Sequence, residues 1–143
     1  MAFIPSYWRE TPQRYRYEGN RCVKCDCKHD SKCDCETGQV FFPPRRTCCP
    51  WCDCTLEPCT IATTGKLLTY TIIVVPPTQF GDEAPYALGI CEMDDGARLT
   101  AQIVDVPLDQ VEIGMSVRIE FRKIQQDGHA GILMYGYKVV PIS

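Results

Sequence analysis

Eleven cysteines stand among 143 residues, and ten of them fall between Cys22 and Cys59. Two pairs have metal-ligand spacing, Cys22-Val-Lys-Cys25 and Cys49-Pro-Trp-Cys52. A Cys-x-x-Cys turn aims two sulfurs to one side of a loop, and two such turns close a tetrahedral tetrathiolate around Zn2+. Four thiolates leave no open position for water, so such a metal contributes folding free energy and activates no substrate. The remaining thiols are Cys27, Cys33, Cys35, Cys48, Cys54, Cys59 and Cys91. Cys-Asp-Cys recurs three times, which leaves open a second cluster of Cys27, Cys33, Cys35 and Cys54. Against it, i,i+2 side chains on an extended chain point to opposite faces and need a tight turn to reach one ion. Reduced thiols or disulfides are the other readings. Cys48 adjoins Cys49 and could replace it as a ligand. Cys91, in an apolar run, reads as a small buried hydrophobe.

Other chemistry is sparse. The two histidines, His29 and His129, fall in a cysteine-rich loop and a turn. Asp94-Asp95 reads as a solvated turn, because an acid/base dyad needs burial to separate its two pKa values. The chain has no glycine-rich phosphate loop and no Ser/His/Asp arrangement. These residues argue for binding or scaffolding over catalysis.

The elements that must position the thiols divide the chain into three parts. Residues 1–19 read as an N-terminal helical arm of two short helices: Ser6 caps Tyr7 to Glu10, Thr11 caps a second helix beginning at Pro12, and Gly19 stops it. Tyr7, Trp8, Tyr15 and Tyr17 lie among Arg9, Arg14 and Arg16 on this arm, which is too short to be stable alone. It either docks on its own chain or anchors a partner, the use to which Trp, Tyr and Arg are put at interfaces. Residues 20–63 read as a zinc ribbon, with a short strand at Val40-Phe41-Phe42 stopped by Pro43-Pro44. Residues 64–143 change to β-branched runs, with strands expected at about 66–75, 86–93, 99–106, 116–122 and 132–140. Five strands without a long helix predict a small closed barrel of the OB-fold type. Asp94-Asp95-Gly96 and Gln126-Asp127-Gly128 are expected as hairpin turns, and Pro107-Leu108-Asp109 as one helical turn. The connection from Pro76 to Pro85 is longer than a hairpin needs. It reads as binding surface or as an idle loop with Phe80 tucked back. The whole is mainly β.

Charge and hydropathy narrow the function classes. The formal charge of -3 divides into +2 for residues 1–66 (10 Lys+Arg, 8 Asp+Glu) and -5 for residues 67–143 (5 and 10). An acidic barrel half lacks the basic face that a phosphate backbone requires, so no nucleic-acid partner is expected. No apolar run of 18 residues and no basic-then-apolar leader occurs, which predicts a cytoplasmic protein without a membrane partner.

Read in order, Pro-Ser-Tyr-Trp-Arg-Glu, Pro-Gln-Arg-Tyr-Arg-Tyr-Glu-Gly, Cys-Val-Lys-Cys, Phe-Phe-Pro-Pro-Arg, Cys-Pro-Trp-Cys, Val-Pro-Pro, Ala-Pro-Tyr and Tyr-Gly-Tyr-Lys resemble the rubredoxin-like zinc-ribbon plus OB-fold proteins that accompany thiolases. The resemblance implies a non-catalytic subunit of a hetero-oligomer. In archaea such a subunit bridges acetyl-CoA acetyltransferase (thiolase) and hydroxymethylglutaryl-CoA synthase in the early mevalonate pathway; elsewhere its relatives accompany thiolase-like aldolases or hydratases. Carried over by position, Cys22, Cys25, Cys49 and Cys52 are the zinc ligands. The chain departs from the family between Cys25 and Gln39, where extra thiols stand in place of a short turn. A coenzyme A thioester would be the shared ligand, with Phe80 and Tyr86 lining an apolar pantetheine passage and Arg45 and Arg46 meeting the coenzyme's phosphates; ordinary surface charge is the bland reading of those arginines. The competing classes are a nucleic-acid-binding ribbon/OB module, which the barrel's charge opposes, and a metal or redox protein using the surplus thiols, whose neighbouring Asp residues would raise thiol pKa values.

Overall fold

The computed structural model describes residues 4–22, 39–50, 54–126 and 133–142, with side chains from Arg9 onward. One helix, α1 (Ile4–Tyr15), leads into a small antiparallel sheet of β1 (Glu18–Cys22), β2 (Val40–Phe41) and β3 (Leu56–Thr60) in the order β2-β1-β3. The remaining strands are β4 (Thr64–Ile73), β5 (Tyr86–Met93), β6 (Arg98–Ile103), β7 (Ser116–Gln126) and β8 (Leu133–Pro141). They close a barrel in the order β4-β5-β6-β8-β7. The chain is therefore mainly β with a five-stranded OB-like barrel, as the β-branched runs predict.

Period-two patterning builds the barrel. Along β5, Ala87, Gly89, Cys91 and Met93 turn inward while Tyr86, Leu88, Ile90 and Glu92 turn outward; β6 turns Leu99, Ala101 and Ile103 inward. With Leu67, Val117 and Val139 these fill the interior, each large aliphatic contributing about 1.5–3 kcal/mol by leaving water. Cys91 is fully buried, and that burial pushes its thiol up to about 11, as fits a small apolar filler. The one parallel contact, Ile103 against Val139, closes the ring, reinforced by the Val104 amide donating to the Val139 carbonyl at 2.9 Å.

The small sheet shares this core. Val40, Phe42 and Ile61 belong to the same buried cluster as the barrel residues, and the Phe42 ring packs on Tyr137 with centroids 5.0 Å apart. Gly19 sits where β1 is pressed between its neighbours: a Cβ there would lie 2.6 Å from the Phe41 carbonyl oxygen and 2.9 Å from Ile61 Cγ2. Gly19 is thus a strand residue and not the helix stop that the sequence predicts. The stop is Tyr17, in the left-handed region at φ 52, whose amide donates to the Arg14 carbonyl at 3.3 Å. The two expected short helices are likewise one. Pro12 lies inside α1, where it forfeits its own helical hydrogen bond, while the Pro12 carbonyl still accepts from the Arg16 amide at 3.0 Å.

The arm docks on its own barrel through the aromatics whose side chains are described. Tyr15 meets Phe121 edge-on at 5.4 Å, and Phe121 stacks on Tyr135 at the same separation. Tyr17 packs against the main core; burial raises its phenol pKa against a backbone hydrogen bond with Phe121. The side chains of Tyr7 and Trp8 lie outside the described residues, as do the expected turn at 127–128 and both histidines.

The turn at Asp94–Gly96 clasps the junction between sheet and barrel. The Asp95 carboxylate accepts from the Ala62 amide at 2.8 Å and from the Ala97 amide at 3.1 Å, and the Thr64 hydroxyl donates to Asp94. Asp95→Ala leaves the amides of half-buried Ala62 and buried Ala97 without this acceptor, so it should cost about 1–3 kcal/mol of stability in urea unfolding at unchanged m value. A change below about 0.5 kcal/mol, the scale of an ordinary surface substitution, would show that water replaces the clasp.

Candidate functional site

A cleft of about 420 Å3 lies on the outer face of β5, β6 and β8. Outward-facing residues supply its floor and walls: Leu88 from β5, Thr100 and Gln102 from β6, Tyr137 from β8. The second and third strands of an OB barrel, here β5 and β6, are the face on which such barrels bind ligands. Three features outside the regular ladder shape it. The last turn of α1 brings in Arg14; the register shift between Lys123 and Gln125 releases Ile124 from the β7–β8 pairing; and the long connection contributes Phe80. Gly136 keeps the floor low, since a Cβ there would come 3.0 Å from Ile124 Cγ1 and 3.9 Å from Arg14 Cδ.

The connection after β4 is built structure. Residues Thr78–Glu83 form a 3-10 segment. Its last residue is tied twice to the barrel: the Gln102 amide donates to Glu83 Oε2 at 3.0 Å, and the Lys138 ammonium lies 3.7 Å from the same oxygen. Lys138 is almost wholly buried at 8% exposure, so Glu83 is the carboxylate that offsets the cost of placing its charge there. This tether holds Phe80 half-buried against Tyr86, ring centroids 6.0 Å apart. The two aromatics expected to line an apolar passage therefore meet at one end of the cleft.

Arg14 is the only charged residue lining the cleft among the described residues. Arg14 and Tyr137 line the same cleft; burial raises the Tyr137 phenol pKa, and the Arg14 cation partly opposes that rise. Neither carboxylate, imidazole nor thiol lines the cleft among the described residues.

Arg45 and Arg46, expected at the ribbon's edge as partners for the coenzyme's phosphates, do not line this cleft. The buried Asn20 side chain fixes the Arg45 backbone, its amide donating to the Arg45 carbonyl at 2.8 Å and its oxygen accepting from the Arg45 amide at 3.2 Å. The Arg45 guanidinium then rests 5.7 Å from the centroid of Phe41. Arg46 pairs with Glu10 of α1 at 3.0 Å. Both arginines thus hold the small sheet and the helix. Arg14 was missed because nothing local marks it: only the fold carries the end of α1 to residues that lie more than sixty positions away.

The thiols form a second candidate site. Cys22, at the end of β1, and Cys49 are both fully buried and pack in one small cluster with Cys54, Phe41 and Leu56. The Cys49 amide donates to the Cys54 carbonyl at 3.0 Å, folding that loop back on itself. Cys49 points inward while Cys48 is exposed, so of the two neighbours Cys49 has the ligand's orientation. Two sulfurs converging in a pocket of their own, apart from the main core, fit a thiolate donor set for Zn2+. Cys25, Cys27, Cys33, Cys35 and Cys52 lie outside the described residues.

If Glu83 is what fastens the connection, Glu83→Ala should speed amide hydrogen exchange across residues 78–84 by about tenfold, the scale of one lost charge-assisted bond, and leave β5 and β8 unchanged. Unchanged protection over 78–84 would assign the order of this segment to Pro76, Pro77 and Pro85 instead.

Comparison with known proteins agrees with this architecture. The family model for the ChsH2 C-terminal OB-fold domain matches residues 60–122. A DUF35 domain-containing scaffold protein of Methanothermobacter thermautotrophicus is 39% identical over 136 residues, covering 94% of this chain and 92% of that protein. Another, of Methanocaldococcus jannaschii, is 39% identical over 137 residues, covering 94% of this chain and 88% of that protein. The solved Ltp2-ChsH2(DUF35) aldolase shares the fold, with a TM-score of 0.67 at 24% identity over 99% of this chain and 96% of that one. By near-full-length identity to these relatives, the chain belongs to the family of DUF35 domain-containing scaffold proteins.

Proposed function

We propose that this chain is a non-catalytic scaffold subunit that joins acetyl-CoA acetyltransferase (thiolase) to hydroxymethylglutaryl-CoA synthase in the mevalonate pathway and helps form a shared acyl-CoA passage. The observation that carries the reading is identity over nearly the whole chain to proteins named as scaffolds. The composition of the cleft supports it: aromatic and aliphatic walls with a few donors suit a slender thioester arm, and no lining group among the described residues is a ready base or nucleophile. Its single cation is unlike the cationic groove that a nucleic-acid strand needs. No helix among the described residues is long and apolar enough to cross a membrane. Keeping acetoacetyl-CoA between two active sites draws an unfavourable condensation forward by consuming its product at once.

In this reading Cys22, Cys25, Cys49 and Cys52 hold one Zn2+, which when bound supplies folding free energy to the small sheet. The burial and convergence of Cys22 and Cys49 support that assignment. Metal analysis of the purified chain should find one equivalent of zinc, lost in Cys49→Ser and retained in Cys48→Ser. Two equivalents would bring the extra thiols into a second cluster, and none would refute the metal site.

The passage itself is tested in the reconstituted three-protein system. Phe80→Ala should release acetoacetyl-CoA into solution and lower the coupled flux while the complex stays assembled. Unchanged release and flux with an intact complex would contradict a passage through this cleft; turnover of an acyl-CoA by the chain alone would contradict the non-catalytic role.

A further inference from the structure

We infer that Arg14 is the anion-recognising residue of the cleft and that it selects the phosphorylated form of the pantetheine arm. The inference rests on the acyl-CoA passage proposed above and assigns within it a role that the arginines of the small sheet do not fill. A phosphopantetheine arm is slender and amide-bearing, and it ends in a dianion. The cleft matches those parts in order. Phe80 and Tyr86 offer an aromatic slot at the end fastened by Glu83. Gln102 and Thr100 present an amide and a hydroxyl along the β6 wall, within reach of a ligand's peptide-like groups. Arg14 supplies the one positive charge among the described lining residues. A guanidinium presents paired N–H donors that match phosphate oxygens, and a half-buried setting strengthens such bonds relative to open water.

The way Arg14 is held strengthens the assignment. It stands in the final turn of α1, which is docked on the barrel through Tyr15 and through Tyr17. Its aliphatic stem passes over Gly136, the residue whose missing side chain leaves the floor open. Tyr137 lines the same cleft and brings a phenolic hydroxyl, an ordinary donor at neutral pH, to its wall.

The test is titration calorimetry of the full-length chain with 4′-phosphopantetheine and with pantetheine, for the wild type, Arg14→Gln and Phe80→Ala. Both residues are half-buried, and circular dichroism checks that each variant keeps the fold. The wild type should bind the phosphorylated probe about tenfold more tightly, the worth of one hydrogen bond to a charged group. Arg14→Gln should erase that preference by weakening the phosphorylated probe alone. Phe80→Ala should weaken both probes alike and keep the preference. A preference that survives in Arg14→Gln overturns the role of Arg14 while leaving the passage in place, provided Phe80→Ala still weakens both probes. Wild type that binds neither probe, or binding that Phe80→Ala leaves untouched, overturns the inference and the passage together.

Discussion

The packing of Phe42 on Tyr137 joins everything that surrounds it. Phe42 closes the small sheet onto the barrel core, while Tyr137 also lines the cleft together with Arg14. Three parts of the chain, far apart in sequence, are therefore referred to one pair of rings. The proposed scaffold role calls for that property more than for reactive groups, because a contact surface displaced by even an ångström positions poorly. Helix, sheet and barrel share one buried cluster and its edges, and no flexible linker separates the sheet that would carry the metal from the barrel that carries the cleft.

The polar ties follow from this arrangement. Asp95 reaches back from a barrel hairpin to the Ala62 amide, so the short chain between sheet and barrel is clasped at its middle. Glu83 does the same for the long connection, and Lys138 shows why a carboxylate is needed there: its ammonium is buried beneath the segment. With Lys138 buried and Glu83 at the surface, the pair adds little net stability but penalises any arrangement that leaves the buried ammonium alone. Segment 78–83 is thereby specified as a wall of the cleft.

Much of this was legible in the residues themselves. Alternating β-branched and small residues mark each barrel strand, and β5 runs from Tyr86 to Met93 as the pattern predicts. Cys22 and Cys49, expected as zinc ligands, are both buried, while the metal itself belongs to the proposal. Phe80 and Tyr86, which an overlong loop on a rigid barrel singles out, both line the cleft; their use in a passage belongs to the proposal. Other features were hidden for physical reasons. Pro12 with Thr11 before it has every local mark of a helix start, yet the helix runs through it to Tyr15, which packs on the barrel. Gly19 looks like a helix stop but answers to the crowding between Phe41 and Ile61, which only tertiary packing creates. Arg45 and Arg46 resemble a phosphate site in sequence because they are adjacent and cationic. Asn20 and Glu10, distant partners, decide where they go.

The scaffold reading depends most on whether the chain brings two enzymes into one particle. Native mass spectrometry of purified thiolase and hydroxymethylglutaryl-CoA synthase, mixed with and without this chain, measures that directly. The account predicts a three-component assembly when the chain is present and separate enzymes when it is absent. Co-assembly of the two enzymes without it, or failure of the chain to join either one, would contradict the scaffold role.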